Sequence, residues 1–178
     1  MLKIKLITII TLVILLCACN TQEQSTQLAQ IKAENKIRVG TLASASNYYQ
    51  AVQGEQGFEF ELSQAFADYL GVELEIVPFF NLSEMFARLD SGDLDLIASG
   101  LTYNKVRAER YRYGPTYRTI SQKLVFKQGR ERPRDFDDLT GNFTVIAKSS
   151  HSLTLEEIQQ TNPNLSWNET EEFDEEEL

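Results

Sequence analysis

The apolar positions of the chain change period in a regular order. Ile37-Arg38-Val39-Gly40-Thr41 alternates and ends in small residues, which predicts a first strand. Phe58, Leu62, Ala65, Phe66, Tyr69 and Leu70 then recur three and four residues apart and stop at Gly71, the pattern of an amphipathic helix with a glycine C-cap. Residues 72–77 predict a second strand closed by Pro78. Leu82, Met85, Phe86 and Leu89 form a second helical stripe behind Ser83, and this spacing makes Met85 and Phe86 core residues rather than cofactor contacts. Residues 94–98 are a short apolar run between Gly92 and Gly100, as in a strand covered on both faces. Strand, helix, strand, helix, strand is the order of an α/β domain with a parallel sheet and right-handed crossovers.

The second half of the chain is more broken. Tyr113-Gly114-Pro115 reads as a turn and residues 121–126 as a further strand. Gly129-Arg130-Glu131-Arg132-Pro133-Arg134 is a basic, proline-containing link, so the chain divides into residues 36–128 and a smaller unit over 129–178. Within that unit residues 143–147 predict a strand, Ser149-Ser150 opens a helix that ends before Pro163, and Trp167 starts another strand. No repeats are present. Residues 42–56 read as a polar loop carrying Tyr48 and Tyr49.

The first nineteen residues stand apart from the fold. Lys3 and Lys5 precede an apolar run over residues 6–16, too short for a transmembrane helix and shaped like a secretory signal. Residues 21–30 are rich in glutamine, serine and threonine without an apolar period, so 19–35 is expected to be a tether after a signal of residues 1–18.

The 178 residues are 42% hydrophobic and 24% charged, a globular composition that excludes disorder throughout. The formal net charge is -9, and seven acids fall between Glu169 and Glu177, so the remainder is close to neutral and presents no basic surface for nucleic acid. Both cysteines, Cys17 and Cys19, lie in the leader, leaving the domain without a disulfide.

Chemistry concentrates in residues 93–107. The strand opens into Ser99, Gly100 and Thr102, where bare backbone lets a ligand approach. Arg107 follows one turn into a helix beginning near Asn104. Ligands of open α/β sheets lie beyond the carboxyl ends of the strands, so these hydroxyls, amides and guanidinium suit a carboxylate or another small anion. The same residues also suit a solvated arginine beside an ordinary strand-to-helix turn. Lone His151 has no second histidine or cysteine for a metal site or a nucleophilic pair. Asp90, Asp93 and Asp95 flank Ser91-Gly92 as turn and strand-entry residues. No cofactor or metal is implied.

Residues 37–150 resemble the solute-binding modules of the amino-acid-binding class. The likeness rests on Ile37-Arg38-Val39-Gly40-Thr41, Gly57-Phe58-Glu59-Phe60-Glu61-Leu62, Leu89-Asp90-Ser91-Gly92-Asp93-Leu94-Asp95, and Gly100-Leu101-Thr102 with Arg107. Within the class the chain is most similar to the modules that precede a lysozyme-like domain in peptidoglycan-cleaving lytic transglycosylases. The points of similarity there are Phe66-Ala67-Asp68-Tyr69-Leu70-Gly71-Val72, Gly100-Leu101-Thr102-Tyr103-Asn104, Gly114-Pro115-Thr116-Tyr117, Ser121-Gln122-Lys123-Leu124-Val125 and Leu165-Ser166-Trp167. The resemblance implies a two-lobed, type II periplasmic-binding-protein-like domain with an incomplete second lobe, gripping a small carboxylate-bearing ligand such as a muropeptide, peptide or amino acid. It matches Arg107 to the arginine that pairs with the ligand carboxylate, and Thr102 and Gly100 to the hydroxyl and backbone partners beside it, next to Ser99, which the strand end itself makes a candidate contact. Tyr48 falls near the aromatic that covers the ligand, and Ser149 and Ser150 match small residues that open a helix towards it. His151 stands where many relatives have threonine.

Leu16-Cys17-Ala18-Cys19 is similar to the bacterial lipoprotein signal, which implies a lipidated Cys19, and Asn20 in place of aspartate favours outer-membrane sorting with the domain facing the periplasm. The transglycosylase chemistry needs a buried glutamic acid in a helical domain, and its sequence does not occur in these 178 residues, so no catalytic residue is expected here. A transport receptor for amino acids and a truncated, non-functional fragment are the alternative expectations.

Overall fold

The computed structural model describes residues 26–126, 128–129, 132–136, 138–139 and 144–171. The expected signal, Cys19 and the end of the acidic tail lie outside these residues, as does part of the basic link. Among the described residues no helix is long and apolar enough to cross a membrane.

The centre is a three-stranded parallel sheet. Strand β1 (Lys36–Leu42) lies between β4 (Glu73–Phe79) and the short β5 (Leu96–Ile97). β1 pairs with β4 along its whole length, from Lys36 opposite Glu73 to Leu42 opposite Phe79. Its side chains alternate between two helical layers. Ile37 and Val39 meet Ala67 of helix α2 (Phe58–Leu70) and Ile31 of helix α1 (Gln27–Glu34), whereas Leu42 meets Phe79, Leu94 and the Leu82 and Met85 of helix α3 (Leu82–Asp90). Full burial of each such side chain contributes about 1.5–3 kcal/mol, so β1 is the strand on which both layers depend.

Several boundaries differ from the sequence reading. Residues 27–34, expected within the tether, form α1: Thr26 caps it by accepting from the Ala29 amide, and Ile31 is buried against the sheet. The polar loop contains a hairpin of β2 (Tyr49–Ala51) and β3 (Gly54–Gln56). β4 runs through Pro78, which is tolerated because β4 is an edge strand and one side of its backbone needs no partner. The strand expected over 94–98 is regular only at Leu96–Ile97, although the Asp95 and Ala98 amides still donate to Arg38 and Gly40 of β1. Residues 121–126, expected as a strand, carry no regular structure, and neither does the expected turn at 113–115.

The largest correction concerns α2. Its apolar stripe faces out, leaving Phe58, Leu62, Phe66 and Tyr69 exposed, while Glu59, Ser63 and Ala67 turn inward. Small residues at the second and third turns let the helix backbone lie close to the sheet. The larger side chains Leu62 and Phe66 instead line a groove of about 1220 Å³ beside β5, an edge strand among the described residues.

The smaller unit is a parallel pair, β6 (Thr144–Ile146) with β7 (Asn168–Thr170), joined by helix α5 (Ser150–Gln159). It packs on the larger one. Ile146 is 2% exposed within the cluster of Leu42, Phe79, Leu82, Met85 and Leu94, and Ser83 donates to the Glu171 carboxylate at 2.8 Å.

Gly57 precedes α2 at φ 129°, and an added Cβ would lie 2.2 Å from the Asn47 carbonyl oxygen. That carbonyl accepts from the Glu59 and Phe60 amides, standing in for a side-chain cap. Gly57→Ala is expected to lower stability by about 1–3 kcal/mol in urea unfolding, through backbone strain and the lost cap.

Candidate functional site

The loops at the carboxyl ends of β1 and β5 carry the polar residues singled out in the sequence. Ser99 is buried, and its Oγ accepts from the Leu42 amide at 3.1 Å and from Asn47 Nδ2 at 3.4 Å, tying the two loops together. Gly100 follows at φ 60°, a left-handed conformation that glycine adopts without cost. The Thr102 carbonyl accepts from the Tyr113 hydroxyl at 3.3 Å, so its hydroxylic side chain stands on a braced loop. Asn104 then caps helix α4 (Lys105–Ala108), accepting from the Val106 amide at 2.8 Å and the Arg107 amide at 3.4 Å. This cap fixes where Arg107 points.

Arg107 is 8% exposed. Its guanidinium lies over the Phe86 ring, 5.2 Å from the centroid, and Nη2 donates to the main-chain carbonyl of Lys148 in the smaller unit. Among the described residues no carboxylate forms an ion pair with it. A buried charge without a counter-ion is costly, and a guanidinium presents a fork of donors that fits a carboxylate in two bonds. The arrangement is therefore competent to take an anion.

The neighbouring serines are placed at a helix start. Ser149 caps α5 by accepting from the Ser152 amide at 3.2 Å, and the Ser150 hydroxyl accepts from Gln122 Nε2 at 3.3 Å. The Lys148 contact brings this end of α5 to Arg107. Tyr48 is differently used. It is 9% exposed, its hydroxyl donates to Glu55 at 2.7 Å and its ring packs edge-on to Phe60, so the aromatic expected over a ligand is committed to the hairpin. Both the bond to Glu55 and burial push its hydroxyl pKa up. Among the described residues no group of acids, histidines and cysteines could hold a metal ion.

Four residues of this region were not singled out in the sequence: Asn47, Glu59, Tyr117 and Lys148. Glu59 is 1% exposed; Oε1 accepts from the Tyr117 hydroxyl at 2.7 Å, and Oε2 has no partner among the described residues. The Tyr117 ring packs on Phe58 at 5.8 Å, and the Arg118 guanidinium lies over the Phe58 ring, 5.9 Å from its centroid. The irregular stretch after α4 is thus pinned to the start of α2. A charged residue between two phenylalanines, Phe58-Glu59-Phe60, was the available signal.

A parallel sheet with anion-competent loops at its carboxyl ends and a smaller α/β unit closing over them defines a two-lobed solute-binding architecture. Residues 37–170 match the bacterial extracellular solute-binding proteins, family 3, and the chain belongs to that family. It is 85% identical over all 178 residues to the membrane-bound lytic murein transglycosylase F of Pseudoalteromonas translucida, of which it spans 38%. It is 45% identical over 145 residues to the protein of that name from Yersinia enterocolitica, covering 81% of this chain and 30% of that one. Among solved structures, an ancestral amino-acid-binding protein described as a precursor of cyclohexadienyl dehydratase superposes with TM-score 0.68 at 25% identity, covering 83% of this chain and 66% of that one. A mutant of ArgBP from T. maritima superposes with TM-score 0.70 at 22% identity, covering 83% and 64% respectively. The fold is that of type II periplasmic amino-acid-binding proteins, with part of the second lobe in this chain.

Burial, the Glu59 bond and the Glu59 charge push the Tyr117 hydroxyl up to about 12, against smaller opposing effects of Arg118 and a Gly100 backbone bond. A folded-state value above the unfolded one near 10 means that the contribution of this hydroxyl is complete below pH 10 and is lost as pH rises towards about 12. The Tyr48 and Tyr111 hydroxyls are also raised, so ultraviolet titration is expected to show a late-ionising group of tyrosines that loses one member in Tyr117→Phe and in which one member ionises earlier in Glu59→Gln.

Proposed function

We propose that the chain is the ligand-sensing module of a peptidoglycan-degrading lipoprotein and that it binds a small carboxylate-bearing ligand, a muropeptide or an amino acid, at Arg107. The observation that carries the reading is the buried guanidinium that no carboxylate pairs with among the described residues. Gly100 and Thr102, in the loop leading into α4, and Ser149 and Ser150, at the end of α5 that the Lys148 contact brings to Arg107, are the residues we assign to the rest of the ligand site. The 85% identity to a membrane-bound lytic murein transglycosylase F supports a place in murein turnover, in which occupancy of this module alters an attached catalytic domain. The family and that relative's name support a periplasmic, membrane-associated location, and lipidation of Cys19 would supply the anchor.

Amino-acid delivery to a transporter is the second reading, favoured by the amino-acid-binding proteins among the structural relatives. Calorimetry with muropeptides, alanine and glutamate separates the two by rank of affinity. In either case Arg107→Ala is expected to weaken binding by roughly 2–4 kcal/mol, and unchanged affinity would remove Arg107 from the site. Purified residues 20–178 are expected to release no anhydro-muropeptides from murein, and release of such products would place cleavage within this chain.

A further inference from the structure

The main-chain carbonyl that Arg107 engages belongs to a residue in an unusual conformation. Lys148 has φ 56°, in the left-handed region, where it follows β6 and immediately precedes the Ser149 cap of α5. Lysine and most other residues seldom adopt this conformation, glycine adopts it freely, and β-branched residues avoid it. In this turn the Lys148 carbonyl accepts from the guanidinium. Two other contacts hold the turn in reach: Ile146, two residues earlier, is buried among Leu42, Phe79, Leu82, Met85 and Leu94, and Gln122 donates to Ser150 two residues later. The smaller unit is therefore docked on the larger one with the anion-competent group already engaged by a neutral acceptor.

We infer that the Lys148 carbonyl is an internal stand-in for the ligand, occupying Arg107 in the ligand-free protein and exchanged for a carboxylate on binding. The inference rests on the reading of Arg107 given above and specifies how that site is regulated. A carboxylate makes a stronger, charge-assisted bond to guanidinium than a neutral carbonyl does, so the exchange runs towards ligand. The exchange frees the Lys148 main chain, and with it the strand-to-helix turn between β6 and α5. Ligand occupancy is thereby converted into a change in how the smaller unit is held, and Lys148 acts as a positioning residue for Arg107. The internal acceptor also lowers apparent affinity by the fraction of molecules in which it is engaged.

The lysine side chain can be removed in two ways that act oppositely on its carbonyl. Lys148→Gly retains the left-handed turn, and Lys148→Val drives the residue out of it; both lack the ammonium, so its charge cancels in the comparison. With glutamate and a disaccharide-tetrapeptide muropeptide as calorimetric probes, Lys148→Val is expected to bind about threefold to tenfold more tightly than Lys148→Gly. Equal affinities, or tighter binding by the glycine variant, would overturn the inference. A second measurement needs no ligand and no change at Lys148. In Arg107→Gln, amide hydrogen exchange at Val145, Ile146 and Ala147 is expected to quicken by about tenfold relative to the unsubstituted protein, and unchanged exchange overturns the latch even if the valine variant does not fold. The two readings fail separately. Quickened exchange with no binding of either probe to the unsubstituted protein rejects the ligand and keeps the latch, whereas normal binding with unchanged exchange does the reverse.

Discussion

A guanidinium taken out of water, with no carboxylate paired to it among the described residues, is the constraint around which this structure is arranged. Arg107 reaches that state because Asn104 caps a four-residue helix and Phe86 offers a ring face, 5.2 Å from centroid to guanidinium, in place of solvent. A neutral carbonyl from the smaller unit gives a partial partner. In a site of low dielectric the remaining donors favour an anion far more than they would on the surface, since both the attraction and the cost of leaving them unmet are larger there. The loops at Ser99–Thr102 and the start of α5 converge on the same end of the sheet, so the location of the charge and the architecture agree.

The support for that location is the packing of β1. Its two faces are filled by different layers, Ile37 and Val39 towards α1 and α2 and Leu42 towards α3, which fixes the strand between β4 and β5. The buried Ser99 hydroxyl then joins the ends of β1 and β5 through the Leu42 amide and Asn47. Above this the Glu59–Tyr117 bond holds an irregular stretch in place without help from a strand.

Much of the first unit was legible because periodicity reports layers. The spacing of Leu82, Met85, Phe86 and Leu89 located α3 and its core face, and the order of strands and helices located the parallel sheet. The face of α2 was not legible. Its apolar stripe pointed to Phe58, Leu62 and Phe66, yet the helix turns Glu59, Ser63 and Ala67 inward, because a close approach to β1 needs small side chains and a buried acid receives Tyr117. Helix α1 was missed since a single buried residue, Ile31, anchors eight residues of polar composition.

In the candidate site the local helix starts were legible. Asn104 and Arg107 are three apart, and Ser149 opens a helix, so cap chemistry alone placed them. The contact between Arg107 and Lys148 spans 41 residues and runs through a backbone carbonyl, which no side-chain motif records. The surroundings of Tyr48 were not legible either: its hydroxyl is held by Glu55, seven residues away, beside a hairpin that the polar composition of its loop concealed. The central claim, that a carboxylate docks on Arg107, is tested most directly by the guanidinium nitrogen resonances of Arg107 during titration with glutamate and with a muropeptide. The account predicts that these signals shift and saturate in step with the heat of binding. Signals that stay fixed while heat is released would put the ligand elsewhere and contradict it.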